Sequence, residues 1–130
     1  MSAPSNGYGP YTCPSGQKYT GEWKYGLPHG RGKLEYPIGH IYEGQLNNGL
    51  MEGTGVLRFA NGDVYDGDWI NDKMEGRGVF RWVNGDIYDG GFKNGLKEGR
   101  GVLRLATGHI YDGGWKNNKA EGRGVLTYAV

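Results

Sequence analysis

One stretch of 23 residues, positions 63–85, reads DVYDGDWINDKMEGRGVFRWVNG, and the rest of the chain repeats its pattern. The tyrosine of this unit returns at a constant spacing, as Tyr19, Tyr42, Tyr65, Tyr88 and Tyr111. A glycine follows each tyrosine by two positions, and a large apolar residue follows two positions later: Trp23, Leu46, Trp69, Phe92 and Trp115. A fixed period of this length indicates a repeat protein in which neighbouring units stack on one another.

The repeats account for nearly the whole chain. Five units begin near residues 17, 40, 63, 86 and 109, and residues 7–16 match the second half of a unit. Residues 1–6 fall outside the pattern. We therefore predict a short N-terminal tail over 1–6 and a single repeat domain over 7–130.

Each unit alternates large and small residues with a period of two. Tyr65, Gly67 and Trp69 begin the unit in this way, and the second half continues it with Gly78, Phe80 and Trp82. Alternation with this period is typical of β-strands. Each unit therefore predicts a β-hairpin, and the five and a half units predict an all-β fold. We expect an elongated, single-layer antiparallel meander of about eleven strands, twisted or curved because long open sheets rarely lie flat.

One of the two connections in each unit follows from the requirement that paired residues share a face. A three-residue loop over 60–62 sets Leu57 opposite Tyr65 and Gly55 opposite Gly67, which keeps the faces consistent. The last loop position then needs a positive φ, which glycine adopts without strain. Glycine stands there in every unit, as Gly16, Gly39, Gly62, Gly85 and Gly108.

The other connection reads as a looser loop of about six residues, over 70–75 or 93–98. One face of the resulting sheet carries the rings and most glycines. Glycine weakens a strand unless something packs on its bare backbone. We therefore expect tyrosine and tryptophan rings to lie across Gly67, Gly76, Gly78 and their equivalents.

Composition and charge exclude several classes of function. Lys and Arg number 15 against 14 Asp and Glu, a net charge of +1, so the chain lacks the clustered basic charge of a nucleic-acid-binding protein. The single cysteine, Cys13, cannot form an internal disulfide. The histidines occupy two different repeat positions, which argues against a metal site. No nucleophile–base constellation is present, so we expect neither catalysis nor a cofactor.

No apolar run approaches the roughly 18 residues of a membrane span, and the N-terminus lacks the pattern of a signal peptide. We therefore expect a cytoplasmic protein.

The unit YxGxW, followed by a connection, GxG, an apolar-x-apolar pair and a glycine turn, closely resembles the MORN (membrane occupation and recognition nexus) repeat. The resemblance covers residues 7–128, with Leu46 and Phe92 in place of the usual tryptophan. It implies an elongated sheet that holds partner proteins along an aromatic groove or dimerises. It also implies a place in ciliary, axonemal or cytoskeletal assemblies, or beside an enzyme on another chain.

A row of large apolar residues on the ring face is the main candidate for a partner-binding groove, because contiguous exposed apolar surface usually marks a binding site. The predicted groove consists of Trp23, Leu46, Trp69, Phe92 and Trp115, with Tyr42, Tyr65, Tyr88 and Tyr111. The alternative is that these rings are simply the core of a sheet that has no second layer.

The C-terminal strand is the second candidate, since an uncovered edge invites strand addition. We expect its contacts at Gly122, Gly124, Leu126 and Tyr128. The first strand carries Pro10 and Pro14, which lack donors and blunt pairing there.

Three functions remain open at this stage, and the last of them is a regulatory arm for an enzyme on another chain. The first is a non-catalytic scaffold for protein partners, possible also as a homodimer. The second is a membrane-apposed module that recognises phospholipid headgroups, against which the balanced charge weighs.

Overall fold

Residues 3–129 are described by a computed structural model, and within them one sheet of eleven strands runs from β1 to β11 in chain order. Met1, Ser2 and Val130, and with them the outer limits predicted for the tail and the domain, lie outside the described residues. The strands are β1 (Gly7–Thr12), β2 (Lys18–Lys24), β3 (Leu27–Glu35), β4 (Ile41–Asn47), β5 (Leu50–Arg58), β6 (Val64–Ile70), β7 (Lys73–Arg81), β8 (Ile87–Lys93), β9 (Leu96–Arg104), β10 (Ile110–Lys116) and β11 (Lys119–Thr127).

Each strand pairs antiparallel with the next one along the chain. The predicted all-β antiparallel meander is therefore confirmed. Across residues 3–129 there is no helix, and so none that is long and apolar enough to cross a membrane.

The three-residue loop predicted between β5 and β6 is confirmed by the register. Leu57 lies opposite Tyr65 and Gly55 opposite Gly67. The Gly62 N–H donates to the Phe59 carbonyl at 3.0 Å, and Gly62 has a φ of 102°. Face parity alone was enough to identify this turn, because only an odd loop length keeps the rings on one side.

The six-residue loop predicted at the other connection is wrong. Only Asn71 and Asp72 separate β6 from β7, and both have positive φ, 48° and 68°. This is the geometry of a type I′ turn, whose twist matches that of the strands it joins. The remaining residues belong to β7, where a bulge shifts the register between the Gly67–Gly78 and Trp69–Met74 pairs.

The ring face is built from tyrosines lying over glycines, as expected for Gly67 and Gly78. A β-carbon on either glycine would overlap the Tyr65 hydroxyl, and one on Gly78 would also overlap the ring. Gly76 departs from the prediction, because it lies in the bulge with a φ of 83° and faces the Asp68 carboxylate. The bulge turns this glycine away from the ring layer.

The type I′ turns also connect each unit to the preceding one. In the Asn71–Asp72 turn, the Asp72 N–H donates to the Met51 carbonyl at 3.0 Å, and the Met51 N–H donates to Asp72 Oδ1 at 2.7 Å. Asn118 and Lys97 form the same pair of bonds. Where glycine holds the second position of the turn, only its backbone N–H bond to the preceding unit is made. Gly95 donates in this way to the Met74 carbonyl at 3.0 Å.

Replacing Gly95 with asparagine is expected to raise the free energy of unfolding by about 0.5–1.5 kcal/mol, because its side chain can accept the Met74 N–H. The space allows this change, since a β-carbon at Gly95 meets nothing closer than Met74 Cε at 3.8 Å. Urea unfolding followed by circular dichroism measures the gain.

Gly49→Asn is the matched control, because Gly49 faces Pro28, which has no N–H to donate. Gly49 and Gly95 have similar φ values, 84° and 79°, so asparagine should cost a similar backbone conformational free energy at both positions. Equal changes in stability for the two variants would contradict the proposed bond.

Candidate functional site

Most tyrosines of the predicted groove are fully buried within the ring face. Tyr42, Tyr65 and Tyr88 have 0% exposure. The Tyr65 ring meets Trp69 of its own unit and Phe92 of the next unit edge-on, both at a centroid distance of 5.1 Å. Each tyrosine of this kind is therefore shared between two units, whereas Tyr111 of the last unit is only half-buried.

Burial changes the chemistry of these hydroxyl groups. Loss of solvent raises the pKa of Tyr88 to about 12, and it also raises the pKa of Tyr65 well above the usual value. Both hydroxyls therefore keep their protons at neutral pH. Each donates to a backbone carbonyl three residues ahead, Tyr65 to Asp68 at 2.9 Å and Tyr88 to Gly91 at 2.9 Å.

The row of large apolar residues is buried as well. Its members are 3–8% exposed: Trp23, Leu46, Trp69, Phe92 and Trp115. The Trp69 indole N–H donates to the Gly55 carbonyl at 3.0 Å, and the Trp115 indole N–H to the Gly101 carbonyl at 3.1 Å. Each bond joins a unit to the one before it. These residues form the core of the sheet, and direct contact of any of them with a partner stays a prediction.

A strip of rings outside the predicted groove remains open to a partner. We call Phe59, Phe80 and Trp82 the open ring strip, because all three are only half-buried. Phe80 lies 5.7 Å from Phe59 and 4.7 Å from Trp82 between ring centroids. Their sequence signal is the apolar-x-apolar pair after GxG. This pair marks the second strand of each unit in the sequence and lies outside the predicted groove.

The cavities along this face of the described chain include a larger and a smaller one. The larger, about 490 Å³, lies near the N-terminal units and is lined by Tyr11, Tyr36 and Leu34 among others, with Cys13 at its side. The smaller, about 300 Å³, adjoins the open ring strip and includes Phe80, Trp82 and Lys97 in its lining. The ring face therefore offers concave apolar surface of the kind that binds side chains.

The predicted edge residues lie at one end of the sheet. Gly122, Gly124 and Leu126 are in β11, and Tyr128 follows it. Within residues 3–129, β11 pairs only with β10, and all of its residues are exposed. Leu126 is 51% and Tyr128 68% exposed. Their contact with a partner stays a prediction.

The opposite face and the loops carry most of the charges. Two ion pairs occur among the described residues, Lys33–Glu35 at 3.5 Å and Arg100–Asp112 at 3.4 Å, and all four side chains are well exposed. Exposed pairs of this kind contribute about 0–1 kcal/mol. The described part of the chain contains no cluster of three or more residues able to hold a metal ion.

Comparisons with known proteins agree with the repeat pattern. A family model described as the MORN repeat matches residues 19–41, 42–64, 65–87, 88–110 and 111–130. No curated protein matches the sequence. The solved structures that are similar include the TCP domain of SAS-4 (dCPAP) in complex with a proline-rich motif of Ana2 (dSTIL) from Drosophila melanogaster. It has 16% identity and a TM-score of 0.35 over 99% of this chain and 94% of that chain, values too low to bear on function.

Proposed function

Because this chain belongs to the MORN repeat family, we propose that it is a non-catalytic scaffold that binds protein partners along its ring face. The observation that carries this proposal is the open ring strip. Phe59, Phe80 and Trp82 form contiguous rings beside a cavity of about 300 Å³, and no other layer of the described chain covers them. Aromatic side chains bury large areas at little rotamer cost, so they are frequent anchors of protein interfaces.

The edge strand β11 is the second contact surface of this proposal. At the preceding unit boundary the Gly101 carbonyl accepts the Trp115 indole N–H, and the Glu98 carboxylate accepts the Asn117 N–H. Gly124 and Glu121 hold the equivalent positions in β11 and have no such bonds within the described residues. A partner strand would find unpaired backbone groups there as well.

The assembly that this scaffold would serve is ciliary or cytoskeletal, and its location is the cytoplasm. The kind of assembly rests on family membership, and the location rests on the sequence pattern described above. Recognition of phospholipid headgroups is the alternative. The nearly balanced charge of the chain supplies little attraction to an anionic membrane.

Trp82→Ala tests the proposal. The variant is expected to lose the protein that copurifies with the native chain at near-physiological salt after crosslinking, because it removes the largest ring of the strip. Its fold should survive, since Leu105 and Cys13 hold the same repeat position and Trp82 is only half-buried. Thermal unfolding followed by circular dichroism checks this point.

Arg81→Ala is the matched control, because Arg81 is the exposed neighbour of Trp82 in sequence and points to the other face of β7. Retention of the partner by Trp82→Ala, or equal loss in both variants, would contradict binding at the strip. Sedimentation with liposomes that increases with anionic lipid content and falls with salt would favour the membrane alternative.

A further inference from the structure

One position of the ring face changes its chemistry between units. Across the hairpin from the large apolar residue of each unit stand, in order, Pro28, Met51, Met74, Lys97 and Ala120. Lys97 pairs with Phe92 in this register. Four of the five units thus place an apolar residue here, and one unit places an ammonium group.

Three rings surround the Lys97 ammonium. Its Nζ lies 5.2 Å from the centroid of Trp82, 5.7 Å from Tyr88 and 5.4 Å from Trp115. These distances are within the range of cation–π attraction. Met74, Phe80 and Phe92 complete an apolar wall of the 300 Å³ cavity.

No carboxylate neutralises Lys97 within residues 3–129. The ion pairs among these residues do not involve Lys97. The Lys97 ammonium also donates no hydrogen bond to any of residues 3–129. Lys97 is half-buried, and the loss of solvent lowers its pKa from the usual value. The rings attract the ammonium group, whereas the loss of solvent disfavours its charge.

A partner segment lying on the open ring strip would remove more water from Lys97. A wholly apolar segment would leave a buried charge without a counter-ion, which is strongly unfavourable. A carboxylate on that segment would instead form a charge-assisted hydrogen bond in a poorly solvated site, where such bonds are strong.

We propose that the segment bound on the ring face carries an aspartate or glutamate between apolar side chains, and that this carboxylate pairs with Lys97. The inference rests on the proposed function, which supplies the bound segment. Lys97 then determines specificity, because segments without the acid are rejected by the cost of burying its charge.

Selection of random linear peptides displayed on phage tests the inference on the whole chain. Peptides are selected on the native protein and kept only if Trp82→Ala abolishes their binding, which restricts the set to the ring strip. The selected sequences are expected to share one Asp or Glu flanked by apolar residues. A parallel selection on Lys97→Met should lack this acid, and methionine is the residue that two other units carry at the position.

The best peptide then enters a double-mutant cycle measured by calorimetry. Lys97→Met, or replacement of the peptide acid by its amide, is expected to weaken binding at least about tenfold, and the two changes together no further. Lys93→Met is the matched control, since Lys93 is an exposed residue of the same hairpin. It should change affinity by less than about twofold.

The other outcomes separate the inference from the proposal beneath it. Peptides that need Trp82 but carry no acid, or an equal loss for Lys93→Met, overturn the pairing with Lys97 and leave the strip as a binding surface. Failure to obtain any Trp82-dependent peptide overturns both. Lys97→Met should unfold at the same temperature as the native chain or above, so a lower unfolding temperature would show that Lys97 supports the fold instead.

Discussion

Trp69→Ala is expected to lower the free energy of unfolding by about 3–5 kcal/mol, the usual cost of removing a fully buried aromatic side chain. Trp69 is 3% exposed, and its ring meets Tyr42 at 5.5 Å and Tyr65 at 5.1 Å. The variant also loses the indole bond to the Gly55 carbonyl. A single-layer sheet has no second layer to fill the space. Chemical unfolding followed by circular dichroism measures the loss.

Trp69→Leu is the matched control, because Leu46 is buried at the same position of another unit. It retains apolar volume and is expected to cost roughly half as much as the alanine variant. A loss below about 1 kcal/mol for Trp69→Ala would show that the row is not core. An alanine variant in the row of buried apolar residues could lose its partner simply because the sheet unfolds. Trp82→Ala avoids this ambiguity, because Trp82 is only half-buried.

Gly78→Ala is expected to destabilise the sheet by about 1–3 kcal/mol or more, although it adds only one methyl group. That methyl would overlap the ring and hydroxyl of Tyr65. Tyr65 cannot retreat, because it is 0% exposed and its hydroxyl is held by the Asp68 carbonyl. The unfolding midpoint in urea and the near-ultraviolet circular dichroism of the rings should both change.

Gly9→Ala is the control for this substitution. Gly9 holds the same repeat position as Gly78, but no tyrosine ring lies over it, and a β-carbon there meets only Pro4 at 3.5 Å. This is an ordinary contact, so the change should stay within about 0.5 kcal/mol. Equal losses of unfolding free energy for Gly9→Ala and Gly78→Ala would mean that this repeat position needs glycine for its backbone flexibility and not to make room for the tyrosine ring.

The glycine turn shows how much of the fold can be read from one unit. Alternation assigns Leu57 and Tyr65 to one face, and face parity then allows only an odd loop between them. The repeats strengthen this prediction, because the same loop length must keep the two faces consistent in every unit. The meander and its strand number follow from the period and these local rules.

The opposite turn was misread for a local physical reason. The pairs Asn48–Gly49 and Asn94–Gly95 are strong signals for a two-residue type I′ turn. The bulge at Gly53 or Gly76 interrupts the alternation directly after the turn, so the start of the second strand looks like loop. Recognising Asn-Gly first would have identified the turn.

The repeat pattern thus specified the strands, their order, one turn type and the face on which rings and glycines meet. It did not reveal that Tyr65 and Trp69 are buried while Phe80 and Trp82 stay half-exposed, although all four lie on that face. Tyr65 and Trp69 are buried because rings from neighbouring units pack against them, and these contacts are set by the three-dimensional packing. The same packing places Lys97 among the rings of Tyr88 in β8, Trp115 in β10 and Trp82, which directly follows β7. Strand alternation assigns a side chain to a face, but only its neighbours across the sheet determine how much water it keeps.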